Sequence, residues 1–326
     1  MIKITDEIYL NEIPLPNTPL KALNSYIIHS EGETLAVDTG FNLPECMEAF
    51  IGGFNELNIS PKNADLLITH MHSDHCGLCG ELAHTMNRIY IGTVDGEIIH
   101  RLMVDDREKN YFEGLNHKFG LSKYNIRLTD NPGITLLFKE PVKFTYLNEN
   151  DIVKVGRFHF EVIDTPGHTP GHISLYERNE KIMIMGDHVL SRITPNISFW
   201  GGSYGDILGV YLKSLQKIRD YDVKYILSSH RAAPESLSQR VDELIAHHEE
   251  RLEEIMNILS SRAKNAADTA AEMHWSLRGI SWDEFPNAQK WFATNEAISH
   301  LEHLLAIGKV DKIESDGVFI YGRRDI

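Results

Sequence analysis

The densest chemistry in the chain is Thr69-His70-Met71-His72-Ser73-Asp74-His75, which places four candidate metal ligands within six residues. Imidazole nitrogen and carboxylate oxygen are donors that divalent zinc accepts at about 2.0–2.2 Å. The stretch follows directly on the apolar run 65–69 (DLLIT), which reads as a strand buried on both faces. Extended backbone sends residues i and i+2 to the same side, so His70 and His72 are aimed at one place. Asp74 and His75 then arrive where the chain turns into a helix. A hydrophilic chance cluster has no reason to follow a buried strand, so the pattern reads as a metal site rather than surface decoration.

Further ligands are expected later in the chain. His168 lies in Asp164-Thr165-Pro166-Gly167-His168-Thr169-Pro170-Gly171-His172, directly after the strand-like run 158–164 (FHFEVID). Asp187 follows the run 181–185 (KIMIM) in Gly186-Asp187-His188, and His230 follows 224–227 (KYIL) in Ser228-Ser229-His230. Each candidate therefore stands at the end of a strand, where a rigid scaffold presents side chains.

The positioning elements follow from periodicity. Runs 23–29 and 34–38 predict a hairpin turning at Gly32, and 43–57 and 206–221 carry helical patterns. Strand pairs with intervening helices occur twice, which predicts sheets covered by helices on their outer faces. Segment 93–146 is irregular and reads equally as a lid or as variable surface. After Pro234 the texture becomes helical, with periodic stretches at 241–258, 266–275 and 295–305. Two short strands follow, 310–314 and 318–321, turning at Asp316-Gly317. Helices followed by a hairpin give the order of a winged helix. Residues 236–326 hold 10 Lys/Arg against 16 Asp/Glu, a balance of −6, so this segment lacks the basic face of a DNA reader and is expected to pack, dimerise or cover a site.

Composition sets the outer bounds. The chain has 326 residues, 42% hydrophobic and 24% charged, which excludes a disordered or collagenous protein and suits two domains, 1–233 and 234–326. A formal charge of −15 disfavours general binding to nucleic acid or anionic membranes. Three cysteines cannot build a disulfide framework, residues 1–10 lack an apolar signal core, and no stretch approaches the roughly 18 apolar residues of a bilayer span. The expectation is a cytoplasmic, non-membrane protein, with a homodimer as the default assembly.

The motif H-x-H-x-D-H, intact as His70, His72, Asp74 and His75, resembles that of the metallo-β-lactamase superfamily, and the resemblance spans about residues 1–233. It implies an αββα sandwich with the site along one edge. By that match His70, His72 and His168 hold one metal, Asp74, His75 and His230 hold a second, and Asp187 bridges. Asp38 in Asp38-Thr39-Gly40 would orient a ligand histidine. The implied cofactor is a pair of zinc ions, with iron or manganese as alternatives. The implied activity is hydrolysis of a small ester, thioester or lactone by a bridging hydroxide, with Asp74 both ligating metal and handling the nucleophile's proton. Two departures stand out: Ser229-His230-Arg231 replaces the usual Gly-His-Gly turn, and Cys76 follows His75. The C-terminal part resembles the winged-helix appendage of some β-lactamase-like hydrolases, where His248 and Arg251 match an H-x-x-R helix.

Other signals compete. Gly201-Gly202-Ser203-Tyr204-Gly205 spells G-x-S-x-G, but 196–200 is a poor strand, so a serine nucleophile at Ser203 is the weaker reading. Cys76 and Cys79 form C-x-x-C and read as small core residues more readily than as a redox pair. His172 and His188 read as supports for ligands, and His247 and His248 as solvated unless their helix folds back on the site. Phe199, Trp200 and Tyr204 read equally as pocket or core. Rival activities on the same motif are RNA or phosphodiester hydrolysis and mononuclear iron dioxygenation of sulfur compounds; His72 argues against the flavin-linked di-iron members, which carry Glu there.

Overall fold

The apolar runs assemble into two sheets whose strand ends meet at one edge. The computed structural model describes residues 1–104, 106–131, 133, 136–275 and 280–324. The first sheet follows chain order: β1 (Ile2–Lys3), β2 (Ile8–Leu15), β3 (Lys21–Ser30), β4 (Glu33–Val37), β5 (Ala64–Ile68), β6 (Ile89–Gly92) and β7 (Thr145–Leu147). β1 to β4 pair antiparallel, and β4 to β7 pair parallel through helical crossovers. The second sheet comprises β8 (Ile152–Val155), β9 (Phe158–Asp164), β10 (Ile173–Glu177), β11 (Ile182–Gly186) and β12 (Tyr225–Ser228), ordered β12-β11-β10-β9-β8. The expected hairpin is β3–β4, turning at Glu31 and Gly32, and the 43–57 pattern is the helix Pro44–Glu56, begun by Pro44 in its first turn.

Three apolar clusters give the layering. Tyr26, Ile28, Val37 and Leu67 of the first sheet meet Phe160, Val162, Leu175 and Ile184 of the second, so the sheets pack face to face. The outer face of the first sheet is covered by Phe50 and Phe54 of the 44–56 helix and by Ile98 and Ile99 of the helix Thr93–Val104. Met183 and Met185 on the outer face of the second pack on Leu208, Tyr211 and Leu215 of the helix Ile207–Ile218, and on Val241 and Leu244 of the helix Leu237–Ile258. The result is the helix–sheet–sheet–helix arrangement that the motif resemblance implies.

The segment after Pro234 forms the helices Leu237–Ile258, Ala266–Glu272 and Asn287–Ala306, and then the hairpin β13 (Val310–Ser315) and β14 (Val318–Arg323). Its core joins Ile255, Ala270, Ile298, Leu301 and Tyr321 to Phe119, Leu121 and Ile126 of the central insertion and to Phe199. The insertion, which includes the helices Thr93–Val104 and Asp106–Lys118, is thus packed against the C-terminal helices rather than left as loose surface. His248 corrects one expectation: it is fully buried, hydrogen-bonded to His300 at 3.0 Å and packed on Tyr211, because its helix lies across the second sheet's helical layer. Among the described residues no helix is long and apolar enough to cross a membrane.

Gly77, at the end of the short helix Ser73–Cys76, fixes how tightly the histidine-rich loop packs on β4's exit. A Cβ there would lie 2.5 Å from Ser73 O, 2.6 Å from Asn42 N and 2.6 Å from Gly40 O, all backbone atoms without a rotamer to yield. Gly77→Ala is predicted to destabilise the fold by about 1–3 kcal/mol, read as a lower urea midpoint at unchanged slope.

Candidate metal centre

β5 ends at Ile68, and the next residues enter a network anchored on one buried carboxylate. Asp38, just past β4 and held at φ 60°, accepts from Thr69 N at 2.9 Å, from Thr69 Oγ1 at 2.9 Å and from His75 Nδ1 at 2.8 Å. Thr39 ties the same loop from the other side, its amide and hydroxyl both donating to His75 O at 2.8 Å. Because the Thr69 hydroxyl gives its proton to Asp38, it accepts from His70 Nδ1 at 3.0 Å. His70 therefore carries its proton on Nδ1 and turns the Nε2 lone pair inward.

The same logic fixes the other rings. His168 Nδ1 donates to Asn196 O at 2.8 Å, and His230 Nδ1 donates to Ala22 O at 2.9 Å. His75 Nδ1 is committed to Asp38, so four rings present Nε2 to a common space. His72 joins through Nδ1, which lies 3.0 Å from His70 Nε2 and 2.9 Å from His168 Nε2. One proton at most can lie between any two of these nitrogens, and the surplus lone pairs face each other. Nitrogens so placed suit a cation better than they suit one another.

The second cluster forms beside the first. His230 Nε2 lies 3.4 Å from Asp74 Oδ2, and His75 Nε2 lies 3.8 Å from that oxygen. Asp187 faces both groups with different oxygens: Oδ2 is 3.5 Å from His168 Nε2, while Oδ1 is 3.5 Å from His230 Nε2 and 3.6 Å from His75 Nε2. Donor atoms of His70, His72 and His168 lie within 4.8 Å of one another, as do those of His70, His75 and Asp187, and those of Asp74, His75 and His230. All seven side chains singled out in the sequence are brought together.

Metal fit is tested by what burial leaves unsatisfied. His75 Nε2, His230 Nε2 and Asp187 Oδ1 are buried atoms without a hydrogen-bond partner among the described residues, and all three face the second cluster. An uncompensated buried polar atom costs about 1–3 kcal/mol, so three converging ones describe a place built for a ligand. Charge is arranged accordingly. Burial, reinforced by neighbouring imidazoles, holds His70 well below the ordinary histidine value and His72 at about 3, so both stay neutral and able to ligate. Burial opposes charge on His75 and His230 as well, but Asp38 and Asp187 raise the first, and Asp187 and Asp74 raise the second. Against burial, His75 and His230 bring Asp74 down to about 2 and hold Asp187 well below the carboxylate range.

One supporting residue escapes sequence inspection. Asp95, buried at the start of the 93–104 helix, accepts from Met71 N at 2.9 Å, Thr169 Oγ1 at 2.6 Å and Gly171 N at 2.6 Å. It pins the 70–72 loop to the 168–171 loop, and burial raises its pKa to about 6. No local pattern marks it. His172 acts as expected for a support: it donates to Thr165 Oγ1 at 2.8 Å and accepts from Asp187 N at 3.1 Å. His188 is buried against Tyr211, with both ring nitrogens lacking a hydrogen-bond partner among the described residues.

The remaining signals fall outside the centre. Ser203 is exposed on a 3-10 turn, Gly202–Tyr204, without a strand before it. Cys76 and Cys79 are buried free thiols whose pKa burial pushes well up, which suits core packing. Trp200 reaches the centre, its ring 6.0 Å from that of His72. Beside His72 and Met71 opens a cavity of about 430 Å³, walled by the central insertion, by residues 198–200 and by the 287–306 helix.

Comparison with known proteins agrees with this geometry. The sequence profile of the Metallo-beta-lactamase superfamily matches residues 19–230. The chain is 25% identical over 284 residues to the Beta-lactamase-like protein 2 homolog of Caenorhabditis elegans, covering 85% of this chain and 80% of that one. It is 26% identical over 209 residues to the hydroxyacylglutathione hydrolase GloC of Haemophilus influenzae, covering 63% of this chain and 84% of that one. A metallo-beta-lactamase family protein from Thermus thermophilus superposes with a TM-score of 0.81 at 25% identity, over 99% of this chain and 100% of the other.

Asp38→Asn isolates the anchoring carboxylate, since asparagine tolerates the left-handed backbone at this position. Its amide sets an N–H against His75 Nδ1–H and disturbs that ring's tautomer. Zinc affinity is predicted to fall about 10- to 100-fold, measured by competition with a chromophoric chelator.

Proposed function

This chain belongs to the metallo-β-lactamase superfamily and is a hydrolase of that superfamily, and on that premise we propose that it is a dinuclear zinc hydrolase of a small ester, thioester or lactone. The observation that carries the reading is Asp187, whose two carboxylate oxygens face the His168 group and the His75–His230 group separately. We assign His70, His72 and His168 to one ion, Asp74, His75 and His230 to the other, and Asp187 to both. Divalent ions held there would supply a water acidified towards about pH 7 and a Lewis acid for the developing oxyanion.

The chain's own groups do the rest. Asp74 is partly exposed, and its low pKa keeps it ionised, so its carboxylate would accept a hydrogen bond from the attacking water and orient it. His172 fixes the Asp187 backbone, Asp38 fixes His75, and Asp95 keeps the two loops at constant separation. None of these groups has to rearrange as charge develops, which is how a preorganised site lowers a barrier. A thioester substrate is favoured by the relative named hydroxyacylglutathione hydrolase. We divide the chain into a catalytic unit, 1–233, and a C-terminal unit, 234–326. Three helices followed by a hairpin support a winged-helix type for the latter, and its place in the cavity wall supports a covering role.

The test is a panel of thioesters, lactones, phosphodiesters and RNA offered to zinc-loaded protein. Turnover is expected on acyl substrates, with about two zinc ions per chain, loss on chelation and recovery with zinc. Asp74→Asn is expected to lower kcat by about 10²–10⁴. Faster turnover of RNA, one iron per chain, or activity that survives chelation but not a serine reagent would each sink the proposal.

A further inference from the structure

The cavity beside His72 has a composition that the metal centre does not require. Among the described residues that line it there is no carboxylate, and Lys139, itself solvent-exposed, is the one Lys or Arg. Its walls are Ile99, Met103, Phe112, Phe138, Trp200 and Ile298 with their neighbours, and its volume of about 430 Å³ is that of a pocket for a small organic ligand. Phe112 stands edge-on to Trp200 at 6.4 Å, and Trp200 in turn lies 6.0 Å from His72, so the apolar space runs continuously to the first cluster of ligands. The polar groups among the described lining residues are few for its size, Asn116, Asn131, Lys139, Ser198 and Asn295 beside His72, so a peptide or nucleotide would lose more hydration here than these could replace. A hydrocarbon group gains by entering.

We infer that this cavity is an acyl-binding pocket: it takes the apolar acyl chain of an ester or thioester whose carbonyl lies at the metal centre, while the leaving group remains on the solvent side. The acyl half is assigned to the pocket because thiol and alcohol carriers are commonly polar and ionised, whereas an aliphatic or aromatic acyl chain carries no charge. Apart from Met71 and His72 at its inner end, the pocket is built by the 93–118 helices, residues 131, 133 and 137–139, the 198–200 loop and the 287–306 helix, so chain-length preference resides mostly outside the residues assigned to the metals. This assignment rests on the hydrolase reading above.

Two measurements separate it from that reading. S-acyl-N-acetylcysteamine thioesters from acetyl to decanoyl share one leaving group, and kcat/KM on zinc-loaded protein is expected to rise roughly threefold per methylene until the cavity is full. Met103→Trp, which fills the cavity from a partly exposed position, is expected to lower the decanoyl-to-acetyl ratio of kcat/KM at least tenfold. Independently, decanoate titrated into metal-free protein is expected to change the fluorescence of Trp200 and Trp291 in a saturable way, and Met103→Trp to weaken that binding. Equal turnover of acetyl and decanoyl thioesters overturns the inference. So does a preference for long alkyl thiols on acetyl esters, or a failure of decanoate to bind. Decanoate binding without turnover of any thioester overturns the hydrolase reading and leaves the pocket standing.

Discussion

Everything around the centre serves one electrostatic constraint: imidazole lone pairs and carboxylates are held a few ångströms apart, away from water, where they do not satisfy each other. His70, His72 and His168 crowd nitrogen against nitrogen at about 3 Å, and His75, His230 and Asp187 each bury an atom without a partner. Such an arrangement persists only if other interactions overdetermine it. Asp38 binds the loop after β5 through three hydrogen bonds, and Asp95 binds the same loop to the 168–171 turn through three more. These bonds form within a sandwich whose sheets are apolar on both faces, so the strand ends have little freedom to move apart. The frustration of these side chains is thus stored locally and supported by the fold, and a bound cation would relieve it.

The order in which protons are committed carries the same design outward. Four of the candidate ligand rings donate from Nδ1: His168 to Asn196 O, His230 to Ala22 O, His70 to the Thr69 hydroxyl and His75 to the Asp38 carboxylate. Main-chain carbonyls therefore decide the tautomer of His168 and His230, while Asp38 decides it for His75 directly and for His70 through Thr69. This also explains why His172, so near the ligands in sequence, is not among them. Its Nε2 accepts from the Asp187 amide, and its Nδ1 is spent on Thr165. A ring with both nitrogens engaged has no lone pair left for metal.

The seven candidate ligand side chains were legible because each follows a strand whose apolar run is itself readable, and because side-chain direction at a strand's end is nearly determined by the pleat. The hairpin β3–β4, the strands β5, β9, β11 and β12, and the helices at 44–56 and 207–218 fall close to where periodicity puts them. What was hidden depends on contacts between segments far apart in the chain. Asp95 shows nothing local, since its role is defined by amides at 71 and 171. His248 looked solvated beside acidic neighbours, and only the packing of its helix on Tyr211 and His300 buries it. The 93–146 insertion offered no period to read, because its partners are the C-terminal helices and not its own flanks.

Those C-terminal helices reach the metal centre by more than the cavity wall. Glu296, buried on the 287–306 helix, accepts from Asn196 Nδ2 at 3.1 Å, and the carbonyl of the same asparagine holds His168 Nδ1. Arg251 on the 237–258 helix lies 3.7 Å from Glu296 and donates to His274 O, so two helices fix the carboxylate that fixes the loop. One helix therefore contributes Ile298 to the apolar cavity and, two residues earlier, Glu296 to the hydrogen-bonded support of the loop that holds His168. The wall of the cavity and the loop whose Asn196 carbonyl holds His168 are therefore anchored on the same helix, through Ile298 on one side and Glu296 on another.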